Sequence, residues 1–241
     1  MLKTLSHSLL SIVYPQECKL CGLHVDTPDD GVACSACWYK TRIFDGNETL
    51  CIKCGAFLFQ PGSLTKAANC RICEEQHFDR AFAVGVYEQA LSASIIHLKR
   101  TPFIPRRIRR LLAAAAERIP LGRTKCMIPI PLSPRRRQER GFNQAQVIAE
   151  CIAKACDLPL DNASLIRKVH TPMHRAGMDK KARAITVKNA FEVVRPKLIA
   201  GRDVLLIDDV LTSGETASVC ARVLKKSGAA RVNVLTIARA G

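Results

Sequence analysis

The chain has 241 residues, room for one large domain or two smaller ones, and a formal charge of +16 from 37 Lys and Arg against 21 Asp and Glu. That balance points to polyanionic partners, phosphorylated small molecules or nucleic acid, while an aromatic content of 5% argues against an extended base-stacking surface. No segment is long and apolar enough to cross a membrane, and the opening "MLKTLSHSLLSIVYP" lacks the cleavage site of an export signal, so a cytoplasmic location is expected.

Leu2, Leu5, Leu9, Ile12 and Val13 predict a short amphipathic helix over residues 1–15 that packs on the body. A cysteine-rich module follows over residues 16–78. Eight of the twelve cysteines fall there as Cys18/Cys21, Cys34/Cys37, Cys51/Cys54 and Cys70/Cys73, with 12, 13 and 15 residues between successive pairs. Thiolates in a CxxC pair fit a tight turn around one tetrahedral ion, and two such pairs complete a four-cysteine zinc site. Four pairs therefore make two structural Zn2+ sites. Disulfides are the alternative, and the lack of an export signal weighs against them. Serial pairing groups Cys18, Cys21, Cys34 and Cys37, then Cys51, Cys54, Cys70 and Cys73, as two zinc ribbons. Interleaved pairing would give a cross-braced module; the serial arrangement is favoured. His24 and His77 are near enough to be spare ligands but read as bystanders, since eight thiolates already fill two sites. Eight thiolates and two dications lower the formal +16 by a net four, to +12, which is still strongly basic.

From residue 79 to 241 the pattern alternates strands with helices, predicting an α/β domain built on a parallel sheet with flanking helices. "AFAVGVY" reads as a strand, "QALSASIIHLKR" as a helix, and "IPRRIRRLLAAAAERI" as a second helix whose Arg106, Arg107, Arg109 and Arg110 form a basic face. "KCMIPIPL" reads as a strand that ends in prolines. Asn143 with Gln146 three residues on predicts a helix N-cap pair, backed by the apolar stripe Val147, Ile148, Cys151, Ile152 and Ala155. Arg135, Arg136, Arg137 and Arg140 then fall in a loop just before that helix, where guanidinium forks can bind phosphate oxygens. Periodicity weakens over residues 170–191, which read as a long, lid-like loop and then an irregular strand or hairpin ending near Phe191. Cys126, Cys151, Cys156 and Cys220 read as small buried hydrophobes.

The stretch "VLLIDDVLTSGETA" carries the chemistry. Val204, Leu205, Leu206 and Ile207 form an apolar run suited to a strand buried on both faces, which places Asp208 and Asp209 at its carboxyl end. Ligands bind at that edge in open α/β sheets. Thr212, Ser213, Gly214, Glu215 and Thr216 can then form a phosphate cradle of hydroxyl and N–H donors. A helix follows, marked by Ala217, Cys220, Ala221 and Leu224, with Lys225 and Lys226 in its last turn and Gly228 to close it.

This stretch resembles the signature by which type I phosphoribosyltransferases bind 5-phosphoribosyl 1-diphosphate (PRPP). "RRRQERGFNQA" resembles the arginine-rich loop of the ComF/GntX branch of that fold, and the four CxxC pairs resemble the double zinc ribbon that precedes it in ComF proteins. The resemblance spans nearly the whole chain. It implies a type I phosphoribosyltransferase-like sheet after the ribbon module, with Asp208 and Asp209 as catalytic residues holding the ribose hydroxyls. Val210 and Leu211 would lead into the binding loop, and Thr212 to Thr216 would take the 5-phosphate. The strand-end loop near Pro131, with Arg136, Arg140 and Lys99, would face Mg2+-pyrophosphate. One stretch departs from the family: His174 and Thr186 stand where Gln and Asn are common, so acceptor handling is the least transferable part.

The implied chemistry is displacement at the anomeric carbon, favoured by carboxylates under the sugar and Mg2+ on the leaving group. ComF relatives are associated with natural competence and DNA uptake. One reading is thus a phosphoribosyltransferase with an unassigned acceptor. The other is a non-catalytic nucleic-acid-binding accessory factor, with PRPP a regulatory or vestigial ligand and single-stranded DNA, a DNA-uptake helicase or other competence proteins as partners.

Overall fold

The computed structural model describes residues 16–58, 70, 73–122, 125–168 and 190–240. Its central sheet is parallel, with strand order β1 (Arg80–Val86), β6 (Arg231–Arg239), β5 (Asp203–Leu211) and β2 (Lys125–Pro129). Val204, Leu205, Leu206 and Ile207 in β5 are each 0% exposed, so the apolar run is buried on both faces as its composition predicts.

Alternation along the strand sends neighbouring side chains into two different cores. Leu205 and Ile207 join Met127, Leu235 and Ile237 on one face. Helices α2 (Gln89–Leu98), α3 (Arg106–Glu117) and α5 (Gln144–Cys156) cover that face with Leu91, Leu112 and Ile148 among others. Val204 and Leu206 join Ile128, Val232 and Val234 on the other. That face is covered by α6 (Glu215–Lys226) and by a small antiparallel hairpin of β3 (Leu165–Arg167) and β4 (Phe191–Val193).

The cysteine-rich segment divides between the same two cores. Cys18, Cys34, Cys37 and Trp38, the last two on α1 (Ser35–Tyr39), belong to the first; Cys51, Cys54, Cys73 and Phe78 belong to the second. Between them the chain runs along the outer edge of β1. The Phe44 N–H donates to Val84 O at 2.8 Å, Val86 N–H to Arg42 O at 3.0 Å, and Ala81 N–H to Lys53 O at 2.7 Å. The two halves of the module therefore straddle the edge strand and cover backbone groups that would otherwise invite pairing with another chain.

The strands and helices expected between residues 81 and 132 all form, shifted by up to three residues at their ends. Four expectations are corrected. The arginine segment is a short helix, α4 (Pro134–Arg140), rather than a loop. Pro134 presets its first turn, Ser133 Oγ accepts from the Arg136 N–H at 3.3 Å, and Gly141 at φ 77° ends it. Asn143 caps α5 by accepting from the Ala145 N–H at 3.1 Å, but the Gln146 side chain donates to Glu150 at 2.9 Å instead of turning back to the cap. Cys126 and Cys220 are buried, whereas Cys151 and Cys156 are half-buried because the stripe of α5 that carries them is only partly covered.

The fourth correction concerns the basic face of α3. Arg106 lies 3.5 Å from Asp29, and Arg107 lies 2.9 Å from Asp30 with its guanidinium 4.6 Å over the Trp38 ring. These two arginines dock the first cysteine module, though Arg106 stays exposed, and Arg109 and Arg110 are the exposed arginines of this helix not engaged in that docking. The amphipathic segment 1–15 and the lid-like loop, with His174 and Thr186, lie outside the described residues. No helix among the described residues is long and apolar enough to cross a membrane.

Gly85 is where the edge contact is tightest: an added Cβ would stand 2.3 Å from Arg42 O and 2.9 Å from Leu91. Gly85→Ala should destabilise the protein by about 1–3 kcal/mol through overpacking. Denaturant unfolding measures this, and a change within about 0.5 kcal/mol would show that the edge contact yields freely.

Candidate functional site

The site lies at the carboxyl edge of the sheet. Ladder pairing of β5 runs past the two aspartates to Leu211, opposite Arg239, so Asp208 and Asp209 sit inside the strand rather than beyond its end. Both are half-buried. Each is held by its own backbone: the Asp209 N–H donates to Asp208 Oδ1 and the Val210 N–H to Asp209 Oδ1, both at 2.9 Å. Asp209 Oδ2 is buried and accepts no hydrogen bond among the described residues; the Lys99 ammonium, just after the end of α2, lies 3.4 Å away. Burial raises the Asp208 carboxyl well above the ordinary carboxylate range, and the adjacent Asp209 charge adds to the rise, with Lys99 opposing it. Such a pair has unmet capacity for a cation or for hydroxyl donors.

After Leu211 the chain makes a tight turn through Thr212, Ser213 and Gly214 and enters α6 at Glu215. Gly214 holds φ 79°, a left-handed conformation that glycine adopts without strain. Thr212, Ser213, Glu215 and Thr216 are exposed, so hydroxyls stand beside the carboxylates at the start of a 12-residue helix whose first N–H, that of Glu215, donates to Ser213 Oγ at 3.4 Å.

On the β2 side, the Asn143 cap also donates from Nδ2 to Ile130 O at 3.0 Å, which ties the start of α5 to the strand end near Pro131. In α4, Arg136 and Arg140 are the half-buried members, four residues apart on one side, while Arg135 and Arg137 are exposed and Arg135 pairs with Glu139 at 2.7 Å. Arg167 of β3 stands 5.1 Å over the Phe191 ring. Burial lowers its pKa, the Arg136 charge lowers it further, and Asp208 opposes both, so these three groups share one electrostatic neighbourhood. Sequence reasoning missed Arg167, because a lone arginine in a three-residue strand carries no motif. For Arg140 the contacts that would place it against the carboxylates are absent from the described residues.

The cysteines form two clusters of four, Cys18, Cys21, Cys34 and Cys37 and then Cys51, Cys54, Cys70 and Cys73, each with all sulfurs within 4.8 Å of one another. The serial partition is therefore the one adopted, and neither His24 nor His77 joins a cluster. Sulfur separations of 3.7, 3.5 and 3.6 Å in the first, and 3.4 and 3.4 Å in the second, approach the edge of about 3.8 Å that four sulfurs around Zn2+ at about 2.3 Å would have. Both clusters use the same turn. The Gly22 N–H donates to Cys18 O at 3.0 Å and the Gly55 N–H to Cys51 O at 2.9 Å, with φ 75° and 67° at the two glycines. The repeated "CKLCG" and "CIKCG" are the signal in the sequence that would have revealed this duplication. Burial raises the Cys18 and Cys51 thiols, but backbone N–H bonds, from Cys34 and Cys54 foremost, outweigh it and bring each down to about 6. Each cluster thus contains a sulfur predisposed to the thiolate form that binds metal. Tetrahedral all-thiolate sites of this kind are closed and structural, and six of the eight sulfurs here belong to buried cysteines.

A parallel α/β sheet with an acidic pair and hydroxyl loop at its carboxyl edge, wrapped by a duplicated four-cysteine module, defines the class. A family model described as a double zinc ribbon domain matches residues 9–75. The chain is 32% identical over 216 residues to competence protein F of Haemophilus influenzae, covering 86% of this chain and 90% of that one. It is 29% identical over 234 residues to the DNA utilization protein YhgH of Escherichia coli, covering 95% and 99%. Competence protein ComFC of Bacillus subtilis is 33% identical over 114 residues, 47% of this chain and 44% of that one. Among solved structures, a glutamine PRPP amidotransferase from Bacillus subtilis is similar with a TM-score of 0.36 and 17% identity, over 61% of this chain and 26% of that one. The chain belongs to the ComF family.

Two outcomes follow from the site. Metal analysis should give two zincs per chain, and Cys51→Ser should leave one, since each cluster is built from its own four sulfurs; well under two in the wild type would refute the assignment. Asp208 generates a second expectation. Its folded-state pKa lies above the unfolded value of about 4, so its contribution to stability is greatest below that pH and is lost as pH rises towards the folded value. Asp208→Asn removes the loss and should make the protein more stable at pH 8 by on the order of 1–3 kcal/mol. Parallel stability profiles for the two proteins from pH 4 to 8 would contradict this.

Proposed function

We propose that this chain binds Mg2+-PRPP at the carboxyl edge of the sheet and acts as a phosphoribosyltransferase-like protein in DNA uptake. The observation that carries the reading is the Asp209 Oδ2 atom, buried without a hydrogen bond one short turn before a helix-capping loop of hydroxyls and glycine. A ribose offers vicinal hydroxyl donors for such carboxylates, and a 5-phosphate fits the donors of Thr212 to Thr216. The Lys99 ammonium, 3.4 Å from Asp209 Oδ2, presents further donors towards a diphosphate. Arg136, with Arg140 on the same side of α4, supplies guanidinium forks for the same leaving group. Mg2+, when bound, neutralises the diphosphate and helps it to leave. The carboxylates stabilise positive charge as it develops on the sugar. Among the described residues no group near the pair is an evident base for an acceptor, and the acceptor stays unassigned. The names of the relatives, competence and DNA utilization proteins, support the wider role.

A second reading, direct binding of single-stranded DNA, draws on the exposed Arg109 and Arg110 of α3 and the formal charge of +16. These contacts would be to phosphates and would weaken steeply with salt.

Calorimetry should detect Mg2+-PRPP binding to the wild type, with Asp209→Asn weaker by at least about tenfold for the loss of a charged hydrogen bond. No binding, or equal binding, refutes the first reading. Replacing Arg109 and Arg110 by glutamine should leave that affinity unchanged and reduce the salt slope of single-stranded DNA binding by about 1.4. No DNA binding at low salt would remove the second reading.

A further inference from the structure

The loop proposed to take the 5-phosphate is held from behind, and the groups that hold it tie it to the second cysteine cluster. Arg239, the last residue of β6, donates from Nε to Cys54 O at 3.1 Å. From Nη1 it donates to Leu211 O at 3.0 Å and to Thr212 O at 2.5 Å. Gln76, three residues after the ligand Cys73, donates from Nε2 to Ser213 O at 3.2 Å. The neighbouring His77 N–H donates to Ser218 Oγ at 3.0 Å, in the first turn of α6. The side chains of Gln76 and Phe78 both stand 3.4 Å from where a Gly214 Cβ would be. Three successive carbonyls, 211 to 213, are thus drawn to one side by one arginine and one glutamine, with the Ala240 N–H also donating to Leu211 O at 2.9 Å.

A trans peptide is planar, with its C=O and N–H pointing in opposite directions. Fixing the carbonyls of Leu211, Thr212 and Ser213 therefore turns the N–H groups of Thr212, Ser213 and Gly214 the other way. Among the described residues, none of these three N–H groups donates to another protein group. Consecutive amides turned to one side form a concave anion-binding nest. Among the described residues the first cluster has no such link: its module docks through Arg106, Arg107 and Trp38 on the opposite face of the sheet.

We propose that Arg239 is a positioning residue through which metal at Cys51, Cys54, Cys70 and Cys73 sets the anion affinity of the 212–214 loop. The ligand is a phosphate monoester or inorganic phosphate, and in identifying it with the PRPP phosphate the inference rests on the function proposed above. Metal fixes the position of Cys54; Cys54 O fixes one edge of the guanidinium; its other edge fixes the loop. A lysine keeps the charge but, having a single nitrogen, cannot hold Cys54 O and the two loop carbonyls in one plane. The second ribbon would then be part of the binding site without touching the ligand.

The test uses the full chain and three probes: zinc content, Mg2+-PRPP affinity by calorimetry, and the amide NMR shifts of Thr212, Ser213 and Gly214 with and without inorganic phosphate. Arg239→Lys should keep two zincs and weaken PRPP by about tenfold, the loss of roughly one hydrogen bond's orientation. It should also shift the three amides in the absence of ligand. Cys54→Ser should lose the second zinc, shift the same amides, and be non-additive with Arg239→Lys. Arg107→Gln, which loosens the first module from α3, should move neither the amides nor the affinity. Wild-type affinity and wild-type amide shifts in Arg239→Lys overturn the proposal, as does an equal response to Arg107→Gln. If wild-type protein does not bind PRPP, the functional reading fails by itself, and the amide shifts of Arg239→Lys and Cys54→Ser still decide whether the metal site positions the loop.

Discussion

Burial of β5 on both faces is the constraint from which the rest of the molecule follows. A strand whose middle four residues have no exposed side can place polar side chains only where its cover stops. The cover stops at the carboxyl end, and the groups argued to touch a ligand gather there: the two aspartates of β5, the loop into α6, Lys99 just after α2 and the arginines of α4, with Arg239 at the end of β6 holding the loop from behind. The same emergence from the core explains the raised pKa of Asp208. A carboxylate kept half out of water beside another carboxylate is unfavourable to the folded chain at neutral pH, and the binding function proposed above would be a physical reason to keep it.

The cysteine module solves a different problem. A segment with few large apolar residues cannot bury enough surface to fold alone, and metal–thiolate bonds can take the place of a core. Here the two clusters also become part of the larger cores, one on each face of the sheet. Duplicated turns around Gly22 and Gly55 thus end in different surroundings, because the chain crosses the outer edge of β1 between them. One module meets an arginine-rich helix and the other meets the loop at the carboxyl edge. Near-identical local sequences acquire distinct roles from the side of the sheet on which they land.

Net charge is a poor guide to where an anion binds. The sequence is strongly basic, yet several of its cations serve internal pairs: Arg231 with Asp203 at 2.6 Å, Lys225 with Asp79 at 2.7 Å, and Arg42 with Glu88 at 2.7 Å. Arg106 and Arg107 look from the sequence like half of a nucleic-acid face, but Asp29 and Asp30 reach them from residues far away in the chain. Such pairs add little each at a surface, but they orient modules and remove charges from the exposed set.

What the sequence determined by itself is what depends on neighbours in the chain. The CxxC turns, the apolar run of β5, the loop into α6 and the Asn143 cap are each decided within a few residues, and all four were legible. The arginine helix α4 was local too: Ser133, Pro134 and Gly141 are its start and stop signals, outweighed in the reading by four arginines that resemble a loop. Tertiary structure alone decided the rest. Arg167 enters the site because a β3–β4 hairpin carries it towards Asp208, Arg239 meets Cys54 across 185 positions of sequence, and Gln76 meets Ser213 across 137. A hydrogen bond between residues so far apart leaves no periodicity and no spacing to read; only the packing of both ribbons around one edge strand brings the partners within reach.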